Sequence, residues 1–125
     1  YSVYIIIMSS YITKFKSCPV ETRLADSKRL RQKYPDRCCI VVGKNDSSDI
    51  PDIERHKFLV PNHLTVGQFI YIIRSRIECD ANKALFLFIN GKIPPTSQSI
   101  SLVYDSNKEE DNFLYVTYSG ENTFG

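Results

Sequence analysis

Lys57-Phe58-Leu59-Val60-Pro61-Asn62-His63-Leu64-Thr65-Val66-Gly67-Gln68-Phe69-Ile70-Tyr71-Ile72-Ile73-Arg74-Ser75-Arg76 is the stretch whose reading decides the fold. Lys57–Val60 is a short apolar strand, Pro61 begins a turn, and Thr65 supplies the hydroxyl that caps a following helix. Val66, Phe69, Ile70, Ile73 and Ile77 recur at i, i+3, i+4, i+7 and i+11, one stripe wide enough to cover a sheet. Ile72 lies off that stripe, about 100° round the helix from Ile73. It faces the flank where helix and strand leave a groove, or else packs under a loop.

Outward from this unit, 125 residues suit one domain with one substantial core. The composition, 42% hydrophobic and 24% charged, is ordinary for a soluble globular protein, without repeats or low-complexity tracts. The net charge of +2 hides an uneven distribution. Residues 1–44 carry nine Lys/Arg against three Asp/Glu, and the remainder seven against eleven. A basic first third suggests a positive face for an acidic peptide, nucleic acid or anionic headgroups.

Cys18, Cys38, Cys39 and Cys79 do not form a disulfide framework. Cys38 and Cys39 are adjacent and, within a strand, point to opposite faces. With no secretory signal pattern, all four are expected as reduced, buried structural thiols in a cytosolic protein. No Cys-x-x-Cys is present, and His56 and His63 lack partners at ligand spacing, which argues against a metal site or other cofactor. A cysteine enzyme would need a thiol paired with a histidine. A rival RNA-binding sheet would need aromatic residues on an exposed face; no nucleic-acid partner is expected.

Tyr1–Met8 is apolar but far short of the roughly 20 residues of a membrane helix, and it lacks the features of a signal peptide. Met8 is the only methionine, so residues 1–7 are set aside as a β-prone arm. A short helix is expected over Tyr11–Lys16, then a longer one from Pro19 to about Lys33 with a basic face of Lys28, Arg29, Arg31 and Lys33. Asp26 and Leu30, at i and i+4, share a face of it. Pro35 ends it. Cys38–Val42 is an apolar run suited to a strand buried on both faces and ended by Gly43. Further strands are expected at Ala84–Ile89, before an Asn90-Gly91 turn, and at Phe113–Ser119. A short helical piece holds Leu102, Val103 and Tyr104. Asp105–Asn112 reads as an acidic loop and Gly120–Gly125 as a loose tail.

Helices, strand, strand, helix, strand, short helix, strand is the order of a ubiquitin-like β-grasp, an α+β domain with two additional N-terminal helices. The long helix lies across one sheet face and the N-terminal helices must lie elsewhere. The organisation expected is an arm and short helix at 1–18, a ubiquitin-like domain at 19–119 and a tail at 120–125.

Several segments then resemble the GABARAP family, ubiquitin-like modifiers of autophagy. They are Lys33-Tyr34-Pro35-Asp36-Arg37, Lys57–Pro61, Leu64–Phe69, Ile93-Pro94-Pro95-Thr96-Ser97 and Phe113–Ser119. The resemblance runs from about Pro19 to Gly125 with its motifs in order. It implies conjugation of Gly125 to phosphatidylethanolamine by activating and conjugating enzymes, and a processing or delipidating cysteine protease. It also implies a location in the cytoplasm and on the autophagosomal membrane, where receptors with aromatic-x-x-aliphatic motifs are tethered. By the same resemblance, Asp26, Leu30, Cys39, Lys57, Leu59 and Phe113 would form a pocket for the aromatic anchor. Phe58, Val60, Pro61, Leu64, Phe69 and Ile72 would form one for the aliphatic anchor, and Arg37, Arg55 and Arg76 would meet flanking acidic residues. The ligand would pair as an added strand with the edge of Lys57–Val60. Cys39 departs from the family's usual proline and Asp26 from its glutamate. Val20-Glu21-Thr22-Arg23 replaces Phe-Glu-x-Arg, and residues 1–18 lie outside the resemblance. A modifier of proteins, or an unconjugated peptide-binding adaptor, is the alternative.

Overall fold

The structure is a computed structural model that describes residues 7–80 and 82–121. Its elements are α1 (Ser10–Lys16), α2 (Val20–Lys33), β1 (Arg37–Lys44), β2 (Lys57–Pro61), α3 (Val66–Arg76), β3 (Phe86–Phe88), α4 (Ile100–Asn107) and β4 (Leu114–Ser119). The strands form one mixed sheet in the order β2-β1-β4-β3. β1 pairs antiparallel with β2, with Cys39 opposite Leu59, and parallel with β4, with Ile40 opposite Leu114. β3 runs antiparallel to β4. This is the ubiquitin-like β-grasp, an α+β fold.

Alternation along β1 builds two apolar layers. Cys38, Ile40 and Val42 face α3 and α4, packing with Val66, Phe69, Ile73, Ile100 and Val103. Cys39 and Val41 face the other way, with Phe113 and Tyr115, beneath Tyr11, Ile12 and Phe15 of α1 and Leu30 of α2. The two N-terminal helices therefore close the sheet's second face. Helix α3 starts as its sequence requires. The Thr65 hydroxyl accepts from the Gln68 amide at 3.1 Å while the Gln68 side chain accepts from the Thr65 amide at 2.9 Å. Such a reciprocal cap stabilises a helix by about 1 kcal/mol.

Gly43 does not end β1, which continues to Lys44 opposite Tyr118 on β4. The glycine serves a close approach instead. A Cβ at this position would stand 2.1 Å from the Ser9 Oγ and 2.9 Å from its Cβ. Ser9 is the N-cap of α1, buried against the sheet, with its Oγ accepting from the Ile12 amide. Asp46 anchors the same end, accepting from the Ser10 amide and hydroxyl, each at 2.8 Å. Tyr11 stacks on His56 with ring centroids 3.5 Å apart, and Phe15 meets Phe113 edge-on at 5.4 Å.

Four further readings are corrected. The supposed acidic loop is partly helix, since α4 runs to Asn107. Within it Asp111 is fully buried, accepting from Arg23, the Tyr115 hydroxyl and, at 2.9 Å, the Phe113 amide. Its carbonyl accepts from Ser27 at 2.6 Å, so the residue ties α2 to the start of β4. The third strand shrinks to Phe86–Phe88 because only that segment meets β4; Ile89 and Lys92 instead close the Asn90-Gly91 turn, at φ 52° and 75°. Positive φ at both positions is what Asn-Gly supplies. Cys38 and Cys39 are buried, but Cys18 is exposed and Cys79 half-buried, because both lie in connections outside the sheet. The tail is not loose from its first residue: the Gly120 amide donates to Ser48 Oγ at 3.0 Å and the Glu121 amide to Ser119 Oγ at 3.2 Å.

Residues 1–6 and 122–125, which hold most of the N-terminal arm and the tail's end with Gly125, lie outside the described residues. Among the described residues no helix is long and apolar enough to cross a membrane.

Replacing Gly43 by alanine should force α1 away from β1, since Ser9 cannot turn aside without losing its cap. The expected loss is about 1–3 kcal/mol of stability, the usual cost of overpacking. Urea unfolding measures it, and an unchanged midpoint would show that α1 does not need this close contact.

Candidate functional site

β2 pairs with β1 on one side and forms an edge of the sheet. Its side chains alternate across that edge. Phe58 and Val60 belong to the α3 layer, whereas Leu59 joins the layer under α1 and α2. Lys57 lies on the Leu59 side, its Nζ 5.6 Å from the centre of the Phe15 ring and 2.9 Å from Asp26.

The six residues assigned to the aromatic pocket come together. Asp26, Leu30, Cys39, Lys57, Leu59 and Phe113 line one cavity of about 200 Å³, joined by Arg29 and Phe58. Neither addition was placed there from the sequence: Arg29 was one of several bases on α2, and Phe58 belonged to the other pocket. The helix period puts Arg29 three residues beyond Asp26, a signal that could have found it. Cys39 makes the cavity floor, its thiol turned toward the Ser27 carbonyl at 4.0 Å. Burial pushes that thiol's pKa up, and that of Cys38 to about 11, so both are neutral at physiological pH. At the rim, partial burial raises the Asp26 pKa, but hydrogen bonds from Lys57 and from Arg29, at 2.5 Å, outweigh it and hold the carboxyl below its usual range. The short aspartate side chain thus reaches Lys57 directly.

The aliphatic set divides by depth. Phe58, Pro61, Leu64 and Ile72 are half-buried at the margin of the α3 layer. Val60 and Phe69 are 3% and 1% exposed and can only be the floor beneath them. Phe58 stands edge-on to Phe69 with centroids 5.7 Å apart. Ile72 packs against the main core, beside the groove margin.

The three flanking bases separate to the two ends of β2. Arg37 lies opposite Pro61 and donates to the Leu59 carbonyl at 3.4 Å. Arg55 and Arg76 share a recess of about 60 Å³ with Glu54 and Phe58 near the strand's start. Glu54, an acid among these bases, was not singled out from the sequence.

The class is thus set by fold and edge together: a ubiquitin-like protein, extended by two N-terminal helices, with the edge strand β2 between an apolar cavity and a margin of half-buried apolar side chains. Comparison with known proteins supplies the family. The family described as "Autophagy protein Atg8 ubiquitin like" matches residues 22–125. The chain is 53% identical over 109 residues to Autophagy-related protein 8a of Arabidopsis thaliana, covering 87% of this chain and 89% of that one. It is 52% identical over 114 residues to Autophagy-related protein 8A of Oryza sativa subsp. japonica, covering 90% and 96%. The crystal structure of Trypanosoma brucei ATG8 superposes with a TM-score of 0.84 at 42% identity, over 94% of this chain and 99% of that one. The chain belongs to the Atg8 family: it is an autophagy-related ubiquitin-like protein and not an enzyme.

The thiols test the closure of the pocket floor. Iodoacetamide at pH 8 should modify Cys18 and Cys79 in the folded protein, and Cys38 and Cys39 only after denaturation. Intact mass before and after urea reads this directly; rapid native labelling of Cys39 would mean that the floor opens.

Proposed function

We propose that this chain is a ubiquitin-like modifier joined through Gly125 to phosphatidylethanolamine, within the GABARAP branch of its family, acting in autophagosome formation and receptor recruitment. The observation that carries the receptor reading is the geometry of β2, an edge strand with a cavity on its Leu59 side and a margin of half-buried apolar side chains on its Phe58 side. Side chains of a strand alternate, so two residues separated by two others point to opposite faces. A ligand strand paired with β2 therefore delivers an aromatic residue to the Asp26–Leu59–Phe113 side and an aliphatic one to the Phe58–Leu64–Ile72 side. Arg37 at one end and Arg55 and Arg76 at the other meet acidic residues beside the motif. Two buried anchors with such contacts reach micromolar affinity, roughly −8 kcal/mol.

Gly125, in this reading, is activated by an ATP-using enzyme, passed through cysteine thioesters and joined to the lipid amine, and a cysteine protease processes or releases it. The family match extending to residue 125 supports this assignment. Each lipid CH₂ buried in the bilayer adds roughly 0.8 kcal/mol, so a diacyl lipid holds the protein at the membrane. The protein then divides between cytoplasm and autophagosomal membrane. Conjugation to proteins instead of lipid, or action as an unconjugated adaptor, is the alternative, and the mass of the cellular conjugate distinguishes them.

Phe58→Ala should leave a folded protein, less stable by about 1–2 kcal/mol because the ring is only half-buried, yet weaken an aromatic-x-x-aliphatic peptide more than tenfold. Titration of a labelled peptide measures it; unchanged affinity would remove Phe58 from the groove. Gly125→Ala should fold and bind that peptide normally but fail to attach to phosphatidylethanolamine liposomes when activating enzyme, conjugating enzyme and ATP are supplied. Equal attachment of the variant, or none of the unaltered protein, would overturn the lipid reading.

A further inference from the structure

A second concavity lies between α2, the turn at Pro35 and α4, and it shares no lining residue with the pocket beside β2. Its volume is about 390 Å³, and Lys28, Arg31, Gln32, Tyr104 and Lys108 line it together with Pro35. Three cations thus enclose one space that no carboxylate lines.

The cations are held by the fold. Tyr104 is almost fully buried, and its hydroxyl donates to the Asn112 carbonyl at 2.5 Å, which fixes the ring. Burial pushes the pKa of that phenol up to about 12, so it remains a neutral donor. Arg31 from α2 and Lys108 from beyond α4 each stand 5.3 Å from the centre of this ring. Arg31 also donates to the Arg37 carbonyl and hydrogen-bonds the Cys38 thiol, which orients the fork; of its five N–H groups the rest are left for a ligand. Lys108 has a loose ion pair with the exposed Asp105 at 3.7 Å, and Lys28 has no ion pair among the described residues. Two cations from α2 and one from the C-cap of α4 meet at one concave surface, and the loose pairing of Lys108 with Asp105 offsets only part of their mutual repulsion.

The ligand's shape follows from what the walls lack. α2 and α4 use their backbone groups internally, so no strand edge is offered to a peptide main chain. The Tyr104 ring is buried beneath Arg31 and Lys108, so no face remains on which a nucleobase could stack. A compact anion carrying more than one phosphate, on a scaffold without a base, matches the remaining features: a guanidinium fork for bidentate phosphate recognition and two ammonium groups as point charges. We propose that the α2–α4 cavity binds a phosphorylated polyol through Lys28, Arg31 and Lys108, either free or as the headgroup of a lipid.

Calorimetric titration with inositol 1,4,5-trisphosphate at physiological salt tests the free form. Flotation with phosphatidylcholine vesicles, with or without a phosphatidylinositol phosphate, tests the headgroup form. Lys28→Gln with Lys108→Gln should reduce binding at least tenfold, and Arg31→Lys should reduce it while retaining charge. Lys83→Gln, an exposed cation remote in sequence from the cavity, should leave it unchanged. Circular dichroism confirms the fold of each variant. Binding of the soluble triphosphate with this pattern assigns the free ligand, and binding only to the phosphoinositide vesicles with the same pattern assigns the headgroup. No binding in either arm, or an equal loss with Lys83→Gln, overturns the proposal. Binding of a phosphoserine peptide without binding of the polyol overturns it in favour of a protein partner.

Discussion

Strand β1 is paired along both edges and buried on both faces, and everything else is arranged to meet that demand. Six successive residues, Cys38 to Gly43, are out of contact with water. A strand so placed needs two neighbours for its backbone and two covers for its side chains. β2 and β4 are the neighbours; α3 with α4 is one cover, and α1 with α2 is the other. The helices before the β-grasp are therefore as necessary to the sheet as the long helix within it. Gly43 marks how tightly the second cover is drawn down, because even a methyl group would collide with the first helix's cap.

The second cover is held by a polar node as well as by apolar contact. Asp111 is wholly shielded from solvent, which is costly for a carboxylate unless it is paired and hydrogen-bonded. Arg23, the Tyr115 hydroxyl, the Phe113 amide and, through the Asp111 carbonyl, Ser27 provide those partners. The same group of contacts sets the position of α2 over the sheet. Asp26 and Leu30, one and two turns along that helix, are thereby set against Lys57 and Leu59. The groove beside β2 thus depends on a buried ion pair outside it. Burial and hydrogen bonding also raise the Tyr115 pKa far above its usual value, so the node keeps its neutral phenol donor throughout the physiological range.

Helix α2 has two working faces on either side of its buried Ser27. One, through Asp26, Arg29 and Leu30, borders the edge strand; the other, through Lys28, Arg31 and Gln32, borders α4. The basic character of the first third of the chain is thus concentrated on a helix that bridges two concavities. Asp26 pairs with both Lys57 and Arg29 on the first face. No acid among the cavity's lining residues does so on the second, and that difference makes the first an apolar recess with a charged rim and the second a site for anions.

Local pattern alone determined the α3 stripe, its Thr65 cap, the Asn90-Gly91 turn and the opposite orientations of Cys38 and Cys39. Each depends on backbone period or on contacts within a few residues, which a sequence displays directly. The family resemblance supplied the partners of β2, and Asp26, Leu30, Cys39, Lys57, Leu59 and Phe113 do meet around one cavity. Tertiary structure alone decided that Gly43 serves a contact with Ser9, that Asp111 is a buried partner of Arg23 rather than a loop acid, and that Phe58 lines the cavity under α2 as well as packing on the α3 layer. It also brought Arg31 and Lys108 over Tyr104. Apart from Lys108, which stands four residues beyond Tyr104, and the packing of Phe58 on α3, these contacts join residues from about 30 to almost 90 positions apart. Their proximity follows from which faces of the elements pack together, and no spacing within the chain encodes that.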